Sequence, residues 1–190
     1  MDAEAELTQK LKHQLWEKLS QNAFVLLKET PVFERSSRVL RFGISPAFSN
    51  PRVWEIYWDY PNQLYFAHQS TWEMEKDWAY TEPLLNDKIS RLRYRLGKLE
   101  EPQPTISRNQ FSLEKEKIEA LLLCFSTLSI PLSPRQPDSM GLDGVTYTLE
   151  LDTSMWKTKL TWWFDQPVEW QALHRLAREL LEFLGDDYDN

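Results

Sequence analysis

Residues 141–185 read GLDGVTYTLELDTSMWKTKLTWWFDQPVEWQALHRLARELLEFLG, and this stretch decides the fold class. Apolar and polar residues alternate strictly from Val145 to Leu151, which is typical of a strand with one buried face. A second run, from Lys157 to Phe164, alternates in the same way after a connection of ordinary hairpin length. The stretch therefore predicts two antiparallel strands.

A helix follows this hairpin and carries signals at both ends. Pro167 suits the first helical position, Glu169 suits the first turn, and Gly185 suits the position just past the end. Apolar residues recur at helical spacing between Trp170 and Leu184. Because a hairpin alone is too small to cover this apolar stripe, we expect a larger sheet.

The neighbouring rings of Trp162 and Trp163 must point to opposite faces of the second strand. Trp162 shares its face with other apolar residues, and we expect it to be buried against Trp170. Trp163 is then either covered by a helix from the N-terminal part of the chain or exposed as an anchor for a partner.

The segments LDGVTYTLELD and LTWWFDQPVEWQALHRLARELLEFL also carry a resemblance to other proteins. The motifs DG-x-x-Y-x-L, x-W-W and P-x-x-W-x-x-L occur in that order. In this respect the segment resembles the C-terminal segment of a loose group of uncharacterised bacterial proteins. Some members of that group look like immunity or other accessory proteins. The resemblance implies a bacterial binding protein, and it carries over no catalytic residue.

The composition is that of a globular protein. The chain has 190 residues with 42% hydrophobic content, which suits one domain, 1–190. No apolar run reaches the about 18 residues that a membrane span needs, and the acidic N-terminus is not that of a signal peptide. The single cysteine, Cys124, fits a reducing compartment, so we expect a cytoplasmic protein that does not insert into a membrane.

The remainder of the chain predicts alternating helices and strands. A helix is expected over Ala3 to Ser20, and a short edge strand over Phe24 to Leu27. A three-strand meander is then expected, with strands over Val39–Ile44, Val53–Trp58 and Leu64–Gln69.

Two further helices are expected, one over Pro83 to Leu99 with a packed apolar seam and one capped by Ser112. The proline-containing segment 102–109 between them reads as a linker, which allows a division into two lobes, 1–101 and 110–185. The predicted fold class is α+β, with a mostly antiparallel sheet of about five or six strands and about four helices.

The sequence contains no recognisable catalytic or metal-binding motif. The three histidines have no ligand neighbours at metal-site spacing, and with five glycines the chain has no phosphate-binding loop. We therefore predict no catalytic residue, no metal and no cofactor. The net charge of −7 also argues against nucleic acid as a partner.

Two features suggest a surface that binds a protein partner. Tryptophans in polar surroundings can anchor interfaces, and one short stretch carries a basic helix face in an acidic chain. The candidate partner-binding residues are Trp72, Trp78, Trp163, Arg91, Arg95 and Lys98.

These observations favour a non-catalytic cytoplasmic binding protein of the immunity or accessory type. Two alternatives stay open. One is a small-molecule-binding protein or enzyme whose site the sequence does not reveal, for which a deep pocket with two convergent titratable groups would be the sign. The other is a homo-oligomeric structural module, and its oligomeric state in solution would distinguish it.

Overall fold

The computed structural model describes residues 3–29, 31–84, 86–98, 103–131, 144–152, 157–164 and 166–186. Its elements in chain order are α1 (Ala3–Lys28), β1 (Ser36–Pro46), β2 (Arg52–Asp59), β3 (Leu64–Trp72), α2 (Met74–Leu84), α3 (Lys88–Arg95), β4 (Ile106–Leu113), α4 (Lys115–Thr127), β5 (Val145–Asp152), β6 (Lys157–Trp163), a 3₁₀ turn (Val168–Trp170) and α5 (Gln171–Phe183).

The six strands form one antiparallel sheet in the order β4-β3-β2-β1-β5-β6. The predicted α+β class is confirmed. The meander is confirmed as β1, β2 and β3, and the C-terminal hairpin as β5 and β6, which joins the sheet beside β1.

The predicted linker 102–109 is wrong where the structure describes it, because Ile106 begins β4. This strand pairs along its whole length with β3, from Trp72 opposite Ile106 to Tyr65 opposite Leu113. Ser112 therefore lies within β4 and does not cap a helix, and α4 begins at Lys115. Strands from both predicted lobes belong to one sheet.

The boundaries of the other helices also differ from the expectation. The run Phe24 to Leu27 belongs to α1 and not to an edge strand, because Leu19, Ala23 and Leu27 continue the stripe of the preceding turns. The single helix predicted over Pro83 to Leu99 is also wrong. One helix ends at Leu84, and a separate one begins after Asp87, whose side chain accepts a hydrogen bond from the Ser90 N–H at 2.8 Å.

The C-terminal helix ends as the sequence predicts but begins one turn later. Gly185 has a φ of +75°, its N–H donates to the Glu182 carbonyl, and the Asp186 N–H donates to the Leu181 carbonyl. This pair of bonds satisfies carbonyls that the helix leaves without partners. At the other end Pro167 precedes the 3₁₀ turn, so the α-helix proper begins at Gln171.

One face of the sheet forms the main core under α4 and α5. The largest buried side chains from β1 and β2 on this face are Leu40, Phe42, Ile44, Trp54 and Ile56. The helices contribute Ile118 and Phe125 from α4, and Leu173, Ala177, Leu180 and Leu181 from α5. Trp162 and Trp170 pack edge to face with centroids 6.4 Å apart, as predicted.

An irregularity in β1 determines which of its side chains lie on the second face of the sheet. Arg38 pairs with Tyr57 and Leu40 with Ile56, so Val39 is an extra residue. Since side chains alternate along a strand, the extra residue places Arg38 and Arg41 on the same face of the sheet, opposite the main core. Helix α1 packs over this second face, where it contacts β2, β3 and β4.

We predict that Trp162→Ala lowers the free energy of unfolding by about 3 to 5 kcal/mol, because it removes a buried aromatic ring from the main core. Trp163→Ala is the matched control and should cost about 1 kcal/mol, since its ring is only half-buried on the other face. Chemical denaturation of both variants measures the difference. Equal costs would contradict the assignment of Trp162 alone to the core.

Candidate functional site

Trp72 is not a surface residue, and this part of the predicted site is wrong. It is 2% exposed, stacks on Trp16 of α1 with centroids 5.4 Å apart, and its Nε1 donates to Asp77 Oδ2 at 2.7 Å. The Asp77 carboxylate also accepts hydrogen bonds from the Thr105 N–H and hydroxyl. Trp72 is buried because its place in β3 directs it to the face that α1 covers.

Trp78 and Trp163 are both accessible, although neither is free of contacts. Trp78 is 43% exposed and its ring meets Trp16 edge to face at 4.9 Å. Trp163 lies half-buried on the opposite face from Trp162, and its ring covers Gly144 so closely that a Cβ there would lie 2.7 Å from the ring. Any larger residue at position 144 would therefore require the Trp163 ring to move.

Arg91 helps to hold α3 against the N-terminal half of α1. Its Nη2 donates to Glu4 Oε1 at 2.6 Å and its Nη1 donates to the Thr8 hydroxyl at 2.9 Å. Tyr94, one turn further along, packs against Leu11 and Leu15 of α1. The side of α3 that carries Arg91 and Tyr94 is thus the side that attaches to the rest of the molecule.

The other side of α3 presents an exposed apolar stripe. Ile89, Leu92 and Leu96 are 62%, 54% and 58% exposed, and helix α3 has no buried residue. The sequence predicts these residues as a packed seam, which is wrong. Leu7 of α1 borders Ile89 and Leu92 in a shallow groove of about 550 Å³. Leu85 and Leu99, the remaining members of the predicted seam, lie outside the described residues.

Four exposed cations surround this stripe: Lys88, Arg93, Arg95 and Lys98. Residues 88–98 contain no acidic residue. Within the part of the chain that the structure describes, none of the four forms an ion pair. We call the stripe and these four cations the α3 surface, and it contains two of the predicted partner-binding residues, Arg95 and Lys98.

Both ends of α3 are fixed by hydrogen bonds. The Ser90 N–H bonds to Asp87 at the first turn and lowers the pKa of that carboxyl. At the other end Gly97 has a φ of +64°, and the Lys98 N–H donates to the Arg93 carbonyl at 2.8 Å. The Asp87 cap and the following Gly97 are signals by which the separate helix could have been recognised in the sequence.

A cluster of charged side chains lies on the second face of the sheet, where β1, β2 and β5 meet. Glu55 Oε1 accepts a hydrogen bond from Arg38 Nη1 at 2.8 Å and lies 3.9 Å from Arg41 Nε. Arg38 Nε also donates to Asp152 Oδ2 at 2.6 Å. Burial opposes ionisation of Asp152, but Arg38 and Lys157 outweigh it and lower the pKa of this carboxyl.

The same cluster fastens the end of α1 to the sheet. Arg41 Nη2 donates to the Leu27 carbonyl at 2.7 Å, and Nη1 donates to the Lys28 carbonyl at 3.3 Å. Burial and the Glu55 charge raise the pKa of Tyr57, whose hydroxyl lies 3.4 Å from Glu55 Oε2. These contacts give the cluster a structural role, because each supports a buried charge or an otherwise unpaired helix carbonyl.

His68 is buried and His174 is partly buried, and in both cases removal from water lowers the pKa below the ordinary value. His68 lies opposite Glu55 in the sheet register and packs edge to face against Phe33. Burial lowers the pKa of His68 despite the nearby Glu55 carboxylate. Burial, followed by the charge of Arg178, also lowers the pKa of His174. The Nδ1 atom of His174 accepts a hydrogen bond from Trp162 Nε1 at 3.3 Å.

Comparison of the chain with known protein families, curated proteins and solved structures finds no match. Within the described residues, no group of three histidine, cysteine or acidic side chains is arranged to hold a metal ion. The described helices include none with the length and apolarity to cross a membrane.

We predict that the free energy of unfolding falls as the pH drops below the ordinary histidine pKa of 6.5. A lowered pKa means that the folded state binds protons less readily than the unfolded state, so acid favours unfolding. His68→Gln should reduce this slope, measured by urea denaturation between about pH 7.5 and about pH 5.5. His13→Gln, exposed on α1, is the control that should keep it. An unchanged slope in His68→Gln would contradict the expectation.

Proposed function

We propose that this protein is a non-catalytic binding protein that recognises another protein through the α3 surface. The observation that carries this proposal is the exposed apolar stripe of Ile89, Leu92 and Leu96 on a helix with no buried residue. Burial of each such side chain is worth about 1.5 to 3 kcal/mol, so a partner that covers the stripe gains a substantial driving force.

The stripe is fixed in place before any partner arrives. An isolated helix of this length is unstable in water, but Asp87 caps α3 while Arg91 and Tyr94 attach it to α1. A partner would therefore not have to order the helix, and less of the binding energy would be lost to conformational entropy. Pre-formed helix faces with an apolar stripe are a recurrent mode of protein recognition.

The flanking cations favour an acidic partner segment. The net charge of −7 attracts basic proteins at long range, but at physiological ionic strength charges interact over only about 8 Å. At contact distance the four cations around the stripe dominate. The complementary ligand is an acidic amphipathic helix, with apolar side chains against the stripe and carboxylates toward Arg93 and Arg95.

An immunity or accessory role in a bacterial cytoplasm is the more specific form of this proposal. It is supported by the sequence resemblance of the hairpin and α5. It is also supported by the internal pairing of Glu55 with Arg38 and Arg41, which gives this buried charged cluster a structural role. A protein of this type acts by covering a surface of its partner.

We predict that Leu92→Ser weakens binding of the partner by about tenfold or more, because it removes the centre of the stripe. Arg95→Glu should weaken binding at low salt and less at high salt. Affinity capture identifies candidates, which are then purified and titrated against each variant. Arg175→Glu, an exposed change on α5, is the control that should bind as wild type does.

Two results would contradict the proposal. One is a purified partner that binds the Leu92→Ser variant as tightly as wild type, which would place its contact elsewhere. The other is the failure of every captured protein to bind when purified, which would remove the evidence for a direct protein partner.

A further inference from the structure

A second concave surface lies between the C-terminal half of α1 and strands β1, β5 and β6. Its volume is about 290 Å³. We call it the sheet groove, and the residues that carry the inference are Phe24, Lys28, Gly43, Val53, Thr161 and Lys159.

The sheet groove exists because its floor consists of small side chains. Gly43 of β1 lies between Val53 of β2 and Thr148 of β5 in the sheet register. A Cβ at Gly43 would make ordinary contacts, 3.6 Å from Val53 Cγ2 and 3.9 Å from Thr148 Cβ. Alanine therefore fits there, whereas a longer side chain would extend into the open space above the floor.

The α1 wall of the groove carries both an aromatic ring and a cation. Phe24 of α1 is 37% exposed and faces the space together with Val53. Lys28, at the end of the same helix, and Lys159 of β6 are both exposed. Among the described residues that line the groove, the single acidic one is Glu150, which pairs with Lys159 at 3.0 Å.

We infer that the sheet groove binds a small amphipathic carboxylate. The volume is near the lower limit of ligand pockets, about 300 Å³, and suits one aromatic ring with a short chain. The ring would lie against Phe24 and Val53, and the carboxylate would lie toward Lys28, where it meets a cation at the groove margin. The site is separate from the α3 surface and does not depend on the proposed protein partner.

The test is an NMR titration of the full chain with 4-phenylbutyrate, beside the uncharged analogue 4-phenylbutanol. Saturable shifts are expected in β1, β5 and the last turns of α1 for the acid, with weaker binding of the alcohol. Lys28→Gln should weaken binding of the acid by about threefold to fivefold, the size of an exposed ion pair, and leave the alcohol unchanged.

Gly43 provides a matched pair of variants. Gly43→Leu places a side chain in the space above the floor and should abolish the shifts, whereas Gly43→Ala should bind as wild type does. If Gly43→Leu does not fold, Thr161→Met takes its place, because it fills the same space from the edge strand β6. Leu92→Ser should leave this binding unchanged, which separates it from any defect at the α3 surface.

Three results would overturn the inference. The first is the absence of saturable shifts with 4-phenylbutyrate at millimolar concentration. The second is equal binding of acid and alcohol, which would remove the carboxylate from the ligand class. The third is wild-type binding by a folded variant in which Gly43→Leu or Thr161→Met fills the groove, which would place the ligand elsewhere.

Discussion

The position of α1 depends on how Glu55 is buried. A carboxylate removed from water costs several kcal/mol unless it is paired, and here Arg38 and Arg41 approach it from the neighbouring strand. Both arginines reach it because Val39 is an extra residue in β1, which directs Arg38 and Arg41 to the same face. Without this irregularity the two side chains would lie on opposite faces of the sheet.

Arg41 links this pair to the helix above it. Its guanidinium donates to the carbonyls of Leu27 and Lys28, which α1 itself leaves unpaired, and a cation at a helix C-terminus is favourable. The apolar contact of Leu19, Ala23 and Leu27 with Trp72 completes the attachment. Helix α1 therefore lies over β2, β3 and β4, and both candidate surfaces are next to it.

Each of the two surfaces lies beside one half of α1. Its C-terminal half forms one wall of the sheet groove, since the floor beneath it has small residues such as Gly43 and Thr148 at its centre. Its N-terminal half holds α3 through Arg91 and Tyr94, which leaves the opposite side of that short helix to solvent. Apart from Ile44 at the margin of the sheet groove, the residues of the main core under α4 and α5 belong to neither surface.

The sequence alone is sufficient to predict the elements in which local periodicity and burial agree. Strands β1, β2, β3, β5 and β6 alternate or carry large apolar side chains, and Gly185 ends α5 at the predicted place. It was insufficient for β4, in which Arg108, Asn109 and Gln110 are exposed and the strand is held by backbone pairing with β3. In the sequence alone, a polar edge strand that follows two prolines resembles a linker.

The errors at Trp72 and α3 have a different cause. Trp72 lies among polar residues in the sequence, and only its register in β3 places it under α1. The stripe of α3 has the periodicity of a packed helix, and periodicity alone does not say whether a neighbour covers it. The candidate residues named from the sequence therefore include Arg95 and Lys98, two of the four cations of the α3 surface, but not the exposed apolar residues between them.

Hydrogen exchange of Arg41→Met, measured by mass spectrometry, tests most directly whether Arg41 holds α1 on the sheet. The substitution keeps the aliphatic stem of residue 41 and removes the donors to the helix carbonyls. We predict faster exchange in the last two turns of α1, while α5 and the β5–β6 hairpin keep the protection of the wild-type protein. Unchanged protection at the end of α1 in the folded variant would contradict this account.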